Sequence, residues 1–114
     1  MYDFKEEDWK LFRKKVPVWQ ERFMTSLVEE YSRILDEDIL GSDRFWKLKD
    51  RMDEDVKKKG VLIDDMSRSK MVRNLIALIE EGAVTLDELD GFSSELVETV
   101  TDVINEIEEE RSPS

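Results

Sequence analysis

The residues able to do chemistry in this 114-residue chain are almost all carboxylates. Histidine and cysteine are both absent, which removes the commonest general base, the usual zinc ligands and the thiol nucleophile together. The 29 aspartates and glutamates are so many that neighbouring pairs arise by chance, and no pair stands out as an acid–base couple. Asp36, Asp38 and Gly41 match the first, third and sixth positions of a calcium-binding EF-hand loop. The match then fails: the fifth position is Leu40, and Lys47 stands where a bidentate glutamate belongs. The four glycines stand singly rather than in a phosphate-cradling loop. The sequence therefore points away from an enzyme, and no cofactor or metal is implied.

What the carboxylates do show is an uneven distribution. Residues Asn74 to Glu110 hold twelve of the 29 acidic residues and neither lysine nor arginine, so the first 73 residues balance at 17 acids against 17 bases. With Arg111 the last 41 residues carry 1 − 12, which is the whole net charge of −11. An excess of this sign repels nucleic acid and anionic lipid on average, so no direct nucleic-acid binding is expected. The lack of cysteine excludes disulfide stapling. No apolar run reaches the roughly 20 residues that span a bilayer, and a soluble cytoplasmic protein without a membrane partner is the expectation.

Helical periodicity dominates the elements that position these charges. Asp3 and Glu6 resemble a capping box opening a first helix with Trp9, Phe12 and Val16 on one stripe. Pro17 disfavours helical backbone at Val16, which predicts a helix to about Lys15, a bend, and a second helix from Pro17 to Asp36. A single kinked helix fits the same pattern. Ser42 should cap a further helix with Phe45, Leu48, Met52 and Val56 on its face and Trp46 beside them. It should close on Lys57, Lys58 and Lys59, with Gly60 just beyond. Val61 to Ile63 reads as an extended connector lying on the core.

Asp65 or Ser67 should cap the next helix, whose wide stripe of Met71, Val72, Leu75, Ile76, Leu78 and Ile79 marks it as the central one. Gly82 should end it. Thr85 and Glu88 form a second capping box for one short turn that closes at Gly91. Phe92 and Ser93 open the last helix, with Leu96, Val97, Val100, Val103, Ile104 and Ile107 inward. The expected architecture is all-α: a compact single-domain bundle of about five helices over residues 1–110, with a frayed tail at 111–114.

Basic clusters occur at Arg13-Lys14-Lys15, at Lys57 to Lys59, and at Arg68, Lys70 and Arg73. They read as helix ends and as intramolecular partners for the acidic end, or alternatively as a nucleic-acid patch. Ser67 to Gly91 has a helix-turn-helix rhythm, but its second helix offers Asp87, Glu88 and Asp90 where a DNA reader needs donors. Trp9, Trp19 and Trp46 lie on or beside apolar stripes, and one of them could serve a partner surface.

On the last helix Glu95, Glu98, Asp102 and Glu106 follow at spacings of three and four. Like charges so placed disfavour the helix by about 0.2–0.5 kcal/mol per pair. Burial of its aliphatic face at ~1.5–3 kcal/mol per side chain outweighs this. The row is thus tolerated rather than stabilising, either as a solvated face or as a surface for a basic partner. Acids four residues apart lie ~6 Å apart along a helix, and DNA carries a phosphate every ~3.4 Å per strand, so such a row can imitate a phosphate track.

Four stretches look familiar together: Asp8-Trp9-Lys10-Leu11-Phe12-Arg13-Lys14-Lys15 with Pro17 and Trp19-Gln20-Glu21; Phe45-Trp46-Lys47-Leu48; Met66-Ser67-Arg68-Ser69; and Gly91-Phe92-Ser93-Ser94-Glu95-Leu96. With them the chain resembles a group of short acidic helical proteins of Gram-positive bacterial genomes and mobile elements. The resemblance implies an intact bacterial domain and assigns no functional residue. A mobile-element origin makes small acidic inhibitors of host nucleases, such as anti-CRISPR proteins, a natural comparison.

The expected function is a non-enzymatic protein-binding module. Glu95, Glu98, Asp102 and Glu106, with Asp87, Glu88 and Asp90 as rim, would engage a basic protein such as a nucleic-acid-binding nuclease. The alternative is a structural or oligomerising protein, for instance a homodimer through the aromatic N-terminal half.

Overall fold

A computed structural model describes residues 4–111. Asp3, half of the expected first capping box, and residues 112–114 of the expected tail lie outside that range. Four α-helices occur among the described residues: α1 (Glu6–Leu35), α2 (Gly41–Asp55), α3 (Met71–Glu80) and α4 (Ser94–Arg111). The all-α class holds, but the count is four rather than about five, because Pro17 does not divide α1. Proline in a helix interior costs roughly 3 kcal/mol or more. Val16, Trp19, Phe23 and Leu27 around it are all buried on one stripe, and each such side chain contributes ~1.5–3 kcal/mol. Burial therefore outweighs the local preference, and α1 runs as one rod of 30 residues, about 45 Å long.

The core is built on the N-terminal two thirds of that rod. Phe12 is fully buried with Leu75 and Leu78 of α3 and Leu96 and Val100 of α4. Trp19 stacks on Phe92 with ring centroids 6.5 Å apart, joining α1 to the residue before α4. As the stripe predicted, α3 is the most buried helix, although it is preceded by a 3₁₀ turn (Arg68–Lys70), with no side-chain cap from Ser67. Asn74 ties the helix to the segment before it by donating to the Asp65 carbonyl at 3.0 Å. Gly82 and Gly91 adopt positive φ (83° and 99°) at the two sharp exits that bracket the turn Leu86–Leu89. Between them Thr85 and Glu88 form the expected capping box. Ser93 caps α4, accepting the Leu96 N–H at 3.3 Å. Arg111 is the last residue of α4 and pairs with Glu80.

α2 departs most from expectation. It begins at Gly41 behind Leu40, without a side-chain cap, and Ser42 lies inside it. Arg44, inside the helix, ties it to the preceding loop by donating to the carbonyls of Glu37 at 2.9 Å and Ile39 at 3.0 Å. The helix ends at Asp55, before the three lysines. Gly60 does not take positive φ; it is buried against Phe23, where a Cβ would meet the ring. α1 and α2 form a hairpin reaching beyond the core. The molecule is accordingly elongated, 52 × 39 × 22 Å with a radius of gyration of 16.8 Å, where a globule of this length has about 13 Å. The expected compact shape is incorrect for that reason. Val61 and Ile63 lie against the core, but the connector is not extended as expected at its start, where Val61 and Leu62 close a turn by donating to the Lys58 carbonyl at 3.0 and 2.9 Å.

Candidate interaction surfaces

Leu96, Val100 and Ile104 turn one face of α4 into the core, so the residues opposite are fixed outward by the 3.6-residue period. Glu95, Glu98, Asp102 and Glu106 are all exposed on that outer face. None of their carboxylates has an ion pair or side-chain hydrogen bond among the described residues. Asp87 and Asp90 are exposed on the adjoining turn. Glu88 is different, because Arg22 of α1 reaches across to it and to the Ala83 carbonyl at 2.7 Å. The Arg22 hydrogen bond, aided by the Thr85 N–H at 2.8 Å, overcomes burial and holds the Glu88 carboxyl below its ordinary range. Of the seven expected contact residues, six face solvent and Glu88 is engaged within the fold.

The basic clusters do not neutralise this face. Arg13 lies over the Trp9 ring, 5.8 Å from its centroid. Lys58 pairs with Asp55, Lys59 with Asp64 and Arg68 with Glu6. Acids of the C-terminal part that find partners do so at its inner edge: Glu80 on Arg111, Glu88 on Arg22, and Glu81 on the backbone N–H groups of Lys59 (2.9 Å) and Gly60 (3.0 Å). The expected role of these clusters as partners for the acidic end is therefore corrected. The apparent helix-turn-helix has only a four-residue 3₁₀ turn as its second element, too short to enter a groove.

A second surface overlaps the aromatic interface expected as the alternative only at Trp46. Trp9 and Trp19 belong to the core, which removes two of the three tryptophans from the aromatic interface expected as the alternative. Trp46 is exposed beside Phe45, with ring centroids 5.0 Å apart and planes at 83°. Asp55 alone of the α2 residues is buried, so the stripe Phe45, Leu48, Met52 and Val56 faces outward or sits at an edge. With Met24, Val28, Tyr31 and Val61 the last two line an apolar groove of about 240 Å³. The signal was legible as amphipathicity in α2; periodicity does not say whether a stripe finds a partner.

Asp8 and Asp55 are the buried carboxylates among the described residues. Asp8, in the first turn of α1, accepts the Ser93 N–H at 2.8 Å and the Ser93 hydroxyl, locking the start of α1 to the start of α4. Asp55 accepts the Tyr31 hydroxyl at 2.6 Å and pairs with Arg51 and Lys58, each at 3.0 Å. Burial pushes the Asp55 carboxyl up, but the Tyr31 and Lys58 hydrogen bonds and the Lys58 and Arg51 charges win, holding it below its ordinary range. Burial first, then the hydrogen bond to Asp55 and its negative charge, pushes the Tyr31 phenol up to about 12. Arg51 extends the cluster to Glu30 at 2.9 Å. Both carboxylates thus hold elements of the fold together, Asp8 through Ser93 and Asp55 through Tyr31, Arg51 and Lys58.

Among the described residues, no group of three or more Asp or Glu is placed to hold a metal ion, and no helix is long and apolar enough to cross a membrane. Comparison with models of protein families, with curated proteins and with solved structures finds no match for this chain.

Proposed function

We propose that the chain is a non-enzymatic binding module that presents the α4 carboxylate row to the basic groove of a nucleic-acid-binding protein, in the manner of a nucleic-acid mimic that inhibits a nuclease. One observation supports this reading above the others. The cations that form ion pairs do so with other acids, while Glu95, Glu98, Asp102 and Glu106 stay exposed and unpaired on a helix that their mutual repulsion weakens. Glu106, Glu108, Glu109 and Glu110 also crowd the negative end of the helix dipole. A cationic groove would relieve both penalties on binding and accelerate the encounter. Asp87 and Asp90 border the row, with Glu88 holding their turn in place.

The test is capture from a native bacterial lysate with the wild-type chain and with Glu98→Lys/Asp102→Lys/Glu106→Lys, at low and high salt. Basic nucleic-acid-binding proteins should be retained by the wild type at low salt only and lost with the variant, which keeps its helical circular dichroism. Equal capture by both proteins would refute the proposal.

A further inference from the structure

We infer that the apolar face shared by α1 and α2 is a homodimer interface, on which the hairpin of a second copy of this chain packs to complete a four-helix bundle. A two-helix layer can bury only one side against itself, and the other side needs a second layer. Here the core supplies that layer for the first part of α1 and not for the hairpin. Val28 and Phe45 are each 61% exposed, and Met52 and Val56 each 50%. They share one face, because Met52 lines both the groove beside Val28 and a neighbouring hollow of about 270 Å³ beside Phe45.

Size and charge decide the occupant. These four side chains expose on the order of 400 Å², within the range of the largest patch that monomers leave open. That is about half of the ~800 Å² per partner of a stable interface, the flanking side chains of the two helices supplying the rest. Residues 24–61 carry eight lysines and arginines against ten acids, a net −2, which leaves −9 of the −11 on the rest of the chain. Two copies meeting at the hairpin bring nearly balanced surfaces together and keep their acidic α4 faces outward. A polyanion or polycation finds no complementary excess there. With the two-fold axis along the bundle, each α1 lies beside the partner's α2, so every neighbouring pair is antiparallel.

Sedimentation analysis of the full chain across roughly 1–100 µM tests this. The wild type should show twice the monomer mass of 13.5 kDa. Val28→Glu/Phe45→Glu should show the single mass, with dimerisation weakened at least about 100-fold and helical circular dichroism unchanged. If that variant loses helicity, Val28→Ser/Phe45→Ser with the same two readouts takes its place. The α4 charge-reversal variant should stay dimeric, which separates this inference from the binding role of α4. A wild type at the single mass throughout overturns the inference, as does a dimer that the folded hairpin variants leave intact.

Discussion

Replacement of Gly60 by alanine probes one contact of the fold, because the three atoms nearest the new methyl all belong to the Phe23 ring. An ideal Cβ there would stand 2.8 Å from Phe23 Cγ and Cε2, and nearer still to Cδ2. Phe23 is buried in the core cluster, so its ring cannot swing away without displacing neighbours. Gly60 also donates its N–H to Glu81 while Gln20 donates to the Lys59 carbonyl at 2.9 Å, so the backbone is held from two sides. Overpacking of this kind destabilises by about 1–3 kcal/mol. Against it stands the smaller conformational freedom of alanine in the unfolded chain, worth ~0.4–1 kcal/mol. The clash wins, and Gly60→Ala should lose about 1–2 kcal/mol. In urea the midpoint should fall by roughly 0.5–1 M with an unchanged slope.

Phe23→Leu/Gly60→Ala should recover part of that loss, with a coupling energy of at least about 0.5 kcal/mol in a double-mutant cycle. Gly41→Ala serves as the control, since nothing lies within 4 Å of its Cβ; it should leave the midpoint unchanged or raise it. A Gly60→Ala midpoint at or above wild type, or strict additivity with Phe23→Leu, would refute the steric account of this turn.

Ser93→Ala removes the cap of α4 and one of the two hydrogen bonds on buried Asp8, and should destabilise by about 1–3 kcal/mol in the same urea assay. The phenol of Tyr31 should titrate near 12 rather than near its ordinary 10 when tyrosinate absorbance is followed, and that late component should vanish in Tyr31→Phe. Because the folded value is the raised one, the associated stability is present below pH 10 and disappears as pH climbs toward 12. Melting curves over that interval should fall more steeply for the wild type than for Tyr31→Phe.

Local chemistry was readable where it is self-contained. Thr85 with Glu88, Ser93 before α4, and the positive-φ glycines at 82 and 91 are all settled by neighbours within a few residues, and each behaves as its type and spacing suggest. The same holds for the α3 stripe, whose width announced its central position. Pro17 misled because its backbone preference is local, whereas the stripe through Trp19 and Phe23 that overrules it is buried by residues far along the chain, Phe92 against Trp19 and Gly60 against Phe23. Ser42 misled because α2 begins one residue earlier, at Gly41, with no side-chain cap, and is tied to the preceding loop by Arg44 instead.

The candidate surfaces divide in the same way. The outward row on α4 follows from periodicity alone. The engagement of Glu88 depends on Arg22, 66 residues earlier, and was invisible along the chain. The open face of α2 reads, in one dimension, like any buried stripe.

The clasp between Asp8 and Ser93 spans 85 residues, and it bears on the order in which the molecule comes into being. A ribosome delivers α1 and α2 first, and the hairpin is complete once residue 55 has emerged. The stripe holding Trp9, Phe12 and Trp19 then lacks its full cover until α3 and α4 follow, the last of them complete about half the chain later. Synthesis therefore places a long interval between the first helix and its own roof. Throughout that interval the nascent protein shows chaperones an aromatic strip that the finished one conceals.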